Sequence, residues 1–107
     1  QIYGKNPDAM VEAAKRCEQA NPNLIDLNFG CPVKKAIKSG YGGNLLNEPE
    51  NLAEIVKAIS KLHNKKFFSV KMRIGFDEIN GVDRAKLLQD NGADIITIHG
   101  RTVKQMY

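Results

Sequence analysis

The residue with the clearest chemical potential is Cys31, which stands between Gly30 and Pro32. An apolar run that begins at Leu24 breaks at Asn28, three residues before the thiol. A side chain just beyond the end of a strand can face a ligand. A thiol there can act as a nucleophile, or as a general acid that gives its proton to carbon. The pattern alone leaves open a second interpretation, in which Cys31 is a small apolar filler.

Two cations and a histidine are the next candidates. Lys71 and Arg73 lie on one face of an alternating run that predicts a strand, and His99 ends another such run. Buried cations need an anion or a polar ligand. The pair therefore indicates either a binding site or ion pairs with Asp26 or Asp94. His99 could donate to a ligand carbonyl or ring nitrogen, or could be a satisfied core histidine.

The segment after Cys31 is basic and rich in glycine. Its glycines, in Gly40-Tyr41-Gly42-Gly43, could cradle a phosphate, but the Lys-Ser/Thr pair of a P-loop does not follow them. We therefore expect a mobile loop over the site. The lysines of this segment could meet a phosphate backbone or form a solvated surface; they are Lys34, Lys35 and Lys38.

These groups can meet only if the elements that carry them form one sheet. We expect strands at residues 1–4, 24–28, 67–73 and 94–99, and helices over residues 7–20, after Asn47 and after Gly81. The second helix has the clearest apolar stripe, and the basic residues Lys61, His63, Lys65 and Lys66 favour its C-terminal end. The third helix should bury Val82, Ala85, Leu87 and Leu88.

Strands that alternate with helices predict an α/β fold with a parallel sheet and right-handed crossovers. A doubly wound sheet and a piece of a (β/α)8 barrel both satisfy this order. The sequence has no Gly-x-Gly-x-x-Gly after its first strand, which lowers the dinucleotide-binding option. Polar residues gather at the carboxyl ends of the strands, where barrel active sites are built. Four strands would make about half of a barrel.

Composition sets only broad limits. The chain has 107 residues, 42% of them hydrophobic and 26% charged, as in one small globular domain. Its net charge of +4 allows a polyanionic partner without requiring one. No apolar run approaches the roughly 18–20 residues that span a bilayer, so we expect a cytoplasmic protein without membrane contact. The chain opens on Gln1 in a strand-like run, and we expect a piece of a longer protein.

The two cysteines serve different purposes in this interpretation. Cys17 and Cys31 form neither a disulfide framework nor a spacing typical of metal ligands, so we expect reduced thiols and no metal site. Cys17 shares the apolar stripe of the first helix with Met10 and Ala14. We therefore predict that Cys17 belongs to the core.

Four short sequence motifs distinguish this chain from a generic α/β domain. They are Asp26-Leu-Asn-Phe-Gly-Cys-Pro, Gly40-Tyr-Gly-Gly-Asn-Leu-Leu, Val70-Lys-Met-Arg-Ile-Gly and Ile98-His-Gly-Arg-Thr, the last followed by Gln105 and Tyr107. In this order they resemble the tRNA-dihydrouridine synthases. The resemblance covers nearly the whole chain. It implies a flavin-dependent (β/α)8 barrel to which residues 1–107 contribute the third to sixth strands as a partial catalytic domain.

The resemblance also implies a reaction and residue roles. In that family, FMN reduced by NADPH passes a hydride to C6 of a uracil in tRNA, and a cysteine protonates C5. Matched residue by residue, Cys31 is the proton donor. Gln1, Lys71 and His99 match contacts to the flavin ring, and Asn28 and Arg73 match groups near the base, with no metal ligand.

Several parts of the family pattern are absent from these 107 residues. They are the first two and last two barrel strands and the C-terminal helical domain that holds much of the tRNA. Gly43 also stands where alanine is frequent in the family. We therefore expect this segment to be inactive alone. The alternatives are a flavin oxidoreductase for free pyrimidines, similar to dihydroorotate or dihydropyrimidine dehydrogenases, and a catalytically silent half barrel that self-associates through its open sheet edges.

Overall fold

The computed structural model describes residues 1–62 and 67–107. The predicted contribution of His63, Lys65 and Lys66 to a helix end therefore lies outside the described residues. The elements are α1 (Pro7–Gln19), β1 (Ile25–Phe29), α2 (Lys34–Ser39), a 3-10 helix (Gly42–Asn47), α3 (Pro49–Ser60), β2 (Phe68–Arg73), α4 (Gly81–Asp90) and β3 (Ile95–His99).

The sheet is parallel, as predicted. Its strands lie in the order β1-β2-β3. The register places Asn28 beside Lys71, and it places Arg73 beside His99. Because helices alternate with these parallel strands, the α/β prediction is confirmed, and the arrangement is consistent with part of a (β/α)8 barrel.

The predicted first strand is wrong in extent. Residues near the N-terminus form one parallel bridge, between Ile2 and Leu27. Ile2 N donates to Asp26 O at 2.9 Å, and Asn28 N donates to Ile2 O at 2.9 Å. Gly4 and the helix that starts at Pro7 leave too little extended chain for more pairing. The described sheet therefore has three strands rather than four, although the bridge still places Gln1 at the sheet edge.

One face of the sheet carries the core. Asn6 caps α1, as predicted, with its side chain accepting from Ala9 N at 3.0 Å. Alternate strand residues are buried beneath α1 and α3 together with the predicted helix stripes. The buried apolar residues include Met10, Ala14, Ile25, Leu27, Phe29, Leu52, Ile55, Val56, Ile59, Phe68, Val70 and Met72. Cys17 packs against this cluster, as predicted.

The prediction for α4 is correct in part. Leu88 is buried and Ala85 packs against the core, but Val82 is 68% exposed. The first turn of α4 contacts the rest of the molecule through the buried Gly81 and through Arg84, so Val82, which lies between them in sequence, is left on the outer side of that turn. Gly92 follows the helix with φ of +115°, the left-handed conformation expected just beyond a helix end. No helix among residues 1–62 and 67–107 is long and apolar enough to cross a membrane.

Candidate active site

The carboxyl ends of all three strands enclose a pocket of about 270 Å³ beside the thiol of Cys31. We call it the cysteine pocket. Its lining residues are Asn28, Gly30, Cys31, Pro32, Val33, Lys71, Met72, Arg73, His99 and Tyr107. Five of the six residues proposed from the sequence thus meet here, while Gln1 lies in a neighbouring pocket that also contacts Asn28 and Cys31.

Asn28 holds the backbone that carries the thiol. Its Oδ1 accepts from Gly30 N at 3.1 Å and from Cys31 N at 3.0 Å. Its Nδ2 donates to Gln1 Oε1 at 3.1 Å. An asparagine side chain that bonds the backbone two and three residues ahead stabilises a tight turn. Asn28 therefore ends the strand in a turn and fixes the backbone of Cys31 at the carboxyl end of β1.

This arrangement makes a prediction about Asn28. Asn28→Ala removes both turn bonds, so we expect any reaction of the full-length protein that depends on the Cys31 thiol to slow at least ten-fold although the thiol remains. Asn28→Asp keeps an oxygen that can accept from the two N–H groups, and it should retain the turn better than alanine does. The measurement is the steady-state rate of the two variants beside the unfolding curve of each. Equal activity of the alanine variant and the wild type would contradict this positioning role.

The glycine segment lies behind Cys31 and not over it. Gly43 N donates to Cys31 O at 3.0 Å, and both Gly42 and Gly43 are buried in the 3-10 helix. Gly42 has φ of +63°, and a Cβ there would lie 2.9 Å from Cys31 Cβ. A Cβ on Gly43 would lie 2.4 Å from Val103 Cγ2. The prediction of a mobile loop over the site is therefore wrong, because these glycines permit close packing under the cysteine.

Arg73 ties two loops together. Its side chain donates through Nε to Gly30 O at 2.8 Å and through Nη1 to Thr102 O at 3.2 Å and to Met106 O. The guanidinium carbon lies 4.9 Å from the centre of the Tyr107 ring. The residue is 2% exposed. Backbone carbonyls, and not a carboxylate, therefore satisfy this buried cation.

The ion-pair alternative fails for both strand cations. Asp26 instead accepts from Ser69 Oγ at 2.6 Å and from Gln1 Nε2. Asp94 accepts from the backbone N–H of Phe68 at 3.0 Å. Lys71 is exposed on the same face, and its ammonium group makes no ion pair within the part of the chain that the structure describes. It is therefore available to a ligand.

His99 is half-buried at the end of β3 beside three cations. Its ring centre lies 5.9 Å from that of Tyr107. Desolvation, followed by the positive charges of Arg73, Arg101 and Lys71, lowers the pKa of His99 from its usual 6.5. The lowered pKa favours the neutral imidazole, which can donate one hydrogen bond and accept another.

The lowered pKa of His99 predicts a pH dependence of stability. The unfolded chain binds this proton more readily than the folded chain as the pH falls through about 6.5. The contribution of neutral His99 to the free energy of unfolding is thus fully present above about pH 6.5. It is lost as the pH falls towards the lower pKa of His99 in the folded protein. We expect His99→Gln to lose less stability than the wild type between about pH 7 and 5. Urea unfolding of the cofactor-free protein at several pH values measures the free energy of unfolding of both proteins. The same pH dependence in the wild type and in His99→Gln would contradict this prediction.

Sequence reasoning missed several contributors to the site. Tyr107 appeared only as part of a family signature, although its ring contacts both Arg73 and His99. The carbonyls of Thr102 and Met106 have no sequence signal, because every residue carries one. The adjacent glycines Gly42 and Gly43 indicate that something packs closely there. The sequence does not show that the partner of Gly42 is Cys31, because the two residues are eleven positions apart.

Comparison with known proteins decides the family. The model of the dihydrouridine synthase (Dus) family matches residues 1–107. The chain belongs to the dihydrouridine synthase family. This confirms the resemblance noted in the four sequence strings. Among the residues that the structure describes, no cluster of three or more His, Cys, Asp or Glu side chains could hold a metal ion.

Curated relatives give the same assignment. A probable tRNA-dihydrouridine synthase 1 of Synechocystis sp. is 41% identical over 109 residues, with all of this chain and 30% of the relative covered. A probable tRNA-dihydrouridine synthase of Rickettsia prowazekii is 41% identical, with 33% of its length covered. A tRNA-dihydrouridine(16) synthase of Pseudomonas syringae pv. tomato is 41% identical over 95% of this chain and 33% of the relative. The chain thus spans about a third of the length of these relatives.

Proposed function

We propose that these residues form the central part of a barrel enzyme that reduces uridine in tRNA to 5,6-dihydrouridine. The observation that carries the proposal is the convergence of three polar strand ends on Cys31, in a chain whose family is established. The thiol reaches this place because Asn28 and Gly43 both bind the backbone of its residue.

In the proposed reaction, Cys31 gives its proton to C5 of the uracil ring. Addition of hydride at C6 places negative charge on the uracil C4 oxygen, and protonation at C5 then completes the saturated ring. The thiolate left behind recovers a proton from water. Hydrogen-bond donors and cations near the base lower the energy of the charged state. We propose that Asn28, through its second amide hydrogen, and Arg73 serve the base in this way, in addition to holding the loop.

The residues around the cysteine pocket fit a flavin ring. Lys71 has an ammonium group without an ion-pair partner in the described chain, and the lowered pKa of His99 favours a neutral imidazole. Such groups match the carbonyl oxygens and ring nitrogens of the isoalloxazine. We propose that Gln1, Lys71 and His99 hold the ring of FMN. When bound and reduced, FMN supplies the hydride for uracil C6, with NADPH as the proposed reductant.

A tRNA substrate imposes two further requirements. The target base must leave its stack before the half-buried thiol of Cys31 can reach it, and the polyanionic backbone needs cations. We propose that the lysines of α2, which are exposed, meet the second requirement. Further barrel strands and a helical tRNA-binding domain would complete the enzyme, which we place in the cytoplasm with its substrate. By itself the 107-residue segment would expose the edge of β3 and self-associate.

The test is a comparison of substrates. The full-length protein that carries residues 1–107 is incubated with FMN, NADPH and an unmodified tRNA transcript, and the nucleosides are analysed by mass spectrometry. We expect dihydrouridine in the tRNA and no reduction of free uracil or orotate. Reduction of the free pyrimidines with unchanged tRNA would instead assign the cysteine pocket to a small-molecule reductase.

A further inference from the structure

A second pocket lies on the other side of Asn28 and Cys31. The roles proposed above give it no ligand of its own. It has a volume of about 310 Å³, and we call it the tyrosine pocket. Its lining residues are Gln1, Tyr3, Asn28, Cys31, Val33, Lys35, Ala36 and Tyr41. Because Asn28 and Cys31 line both pockets, anything held in the tyrosine pocket lies directly beside the reacting thiol.

Two tyrosines from distant parts of the sequence form one wall of this pocket. The rings of Tyr3 and Tyr41 are stacked, with centres 4.9 Å apart and planes 30° apart. Tyr3 is 63% exposed, so one face of its ring is open. Tyr41 is fixed by a hydrogen bond from its N–H to Ala36 O at 3.1 Å, directly after the left-handed turn at Gly40. The pair is thus a preformed aromatic surface outside the core.

The surroundings of the tyrosine pocket are positively charged. Lys35 lines it, whereas Lys34 and Lys38 line a separate pocket on another face of α2. Residues 30–46 contain three lysines and no aspartate or glutamate. Lys5 lies against the same turn, since a Cβ on Gly40 would be 3.1 Å from its Cδ. An aromatic surface beside several cations suits a nucleotide, whose base can stack while its phosphate meets the ammonium groups.

We propose that the tyrosine pocket binds the RNA nucleotide adjacent to the target uridine, by stacking its base on the Tyr3–Tyr41 pair. The proposal rests on the proposed function. A uridine that leaves its stack to reach Cys31 also deprives its neighbour of a stacking partner. The exposed ring of Tyr3 replaces that partner, and Lys35 binds the intervening phosphate. The two tyrosines therefore stabilise the flipped-out arrangement without themselves contacting the reacting atoms.

The test uses Tyr3→Leu and Tyr41→Leu in the full-length protein, with Tyr3→Phe and Tyr41→Phe as matched controls that keep the aromatic face. We expect each leucine variant to raise the Kd for unmodified tRNA and the KM about ten-fold. The value of kcat at saturating tRNA and the melting temperature should stay at the wild-type level. The phenylalanine variants should bind tRNA as the wild type does.

The outcomes separate this proposal from the proposed function. Wild-type protein that binds tRNA but forms no dihydrouridine would refute the proposed function, while the Kd values of the leucine variants would still test the stacking surface. Unchanged Kd values in both leucine variants would overturn the stacking proposal. A fall in melting temperature or loss of FMN from the leucine variants would also overturn it, because the pair would then belong to the protein core or to the cofactor site.

Discussion

Replacement of Cys31 by alanine is expected to lower dihydrouridine formation about 100- to 10,000-fold. The alanine variant loses the only proton that the proposed reaction takes from a side chain. Its backbone hydrogen bonds to Asn28 and Gly43 remain possible, because they use the N–H and C=O of residue 31. We therefore expect the Kd for tRNA and the stability to stay close to the wild-type values.

Two further variants make this result specific. Cys31→Ser keeps a hydroxyl group that can donate a proton less readily, and it should fall between the wild type and the alanine variant. Cys17→Ala is the matched control for loss of a thiol, because Cys17 packs against the core away from the cysteine pocket. Steady-state rates with tRNA and NADPH measure all three variants. Wild-type turnover in Cys31→Ala would remove the proton-donor role.

Arg73→Lys is expected to lower the free energy of unfolding by about 2–4 kcal/mol. The guanidinium donates to three backbone carbonyls in two loops, and a lysine ammonium has neither the planar fork nor the reach to replace it. At least one buried carbonyl would lose its partner. The loop that carries Cys31 would also lose its tie to residues 102–106, so turnover should fall together with stability.

The other cation on the same strand supplies the matched control. Lys71 is exposed and has no ion-pair partner in the described chain, so Lys71→Met should leave the unfolding free energy nearly unchanged while turnover falls. Denaturant unfolding of both variants in the cofactor-free protein measures the contrast. If Arg73→Lys kept wild-type stability and only raised the KM for tRNA, Arg73 would act on the substrate alone.

The sequence predicted the sheet and the location of its polar end because both depend on local pattern. Alternation in β1 and β2 separates apolar from polar faces, and parallel strands must bring their carboxyl ends together. Asn28 and Cys31 lie three residues apart in sequence, so their proximity was also predictable. The placement of Lys71, Arg73 and His99 around one pocket follows from the same register.

The remaining features depend on contacts between distant residues. The six-residue helix α2 has no sustained apolar stripe, so its sequence reads as a loop. Burial of Gly42 against Cys31 requires the chain to turn back on itself. Arg73 was expected to contact a carboxylate or a substrate, but its guanidinium donates to backbone carbonyl groups. Every residue has such a carbonyl, so the sequence does not reveal which ones accept. The Tyr3–Tyr41 contact likewise joins two segments on opposite sides of α1 and β1 in the chain.

The most direct test of the central claim is a single turnover with the full-length protein. Wild type and Cys31→Ala are each loaded with FMN, reduced, freed of NADPH and mixed with saturating unmodified tRNA. Dihydrouridine is then counted by mass spectrometry against time. We expect one dihydrouridine per reduced wild-type protein, and an alanine variant that binds the tRNA equally well but forms the product at least 100-fold more slowly. Equal rates in the two proteins would contradict the assignment of Cys31 as the proton donor to uracil C5.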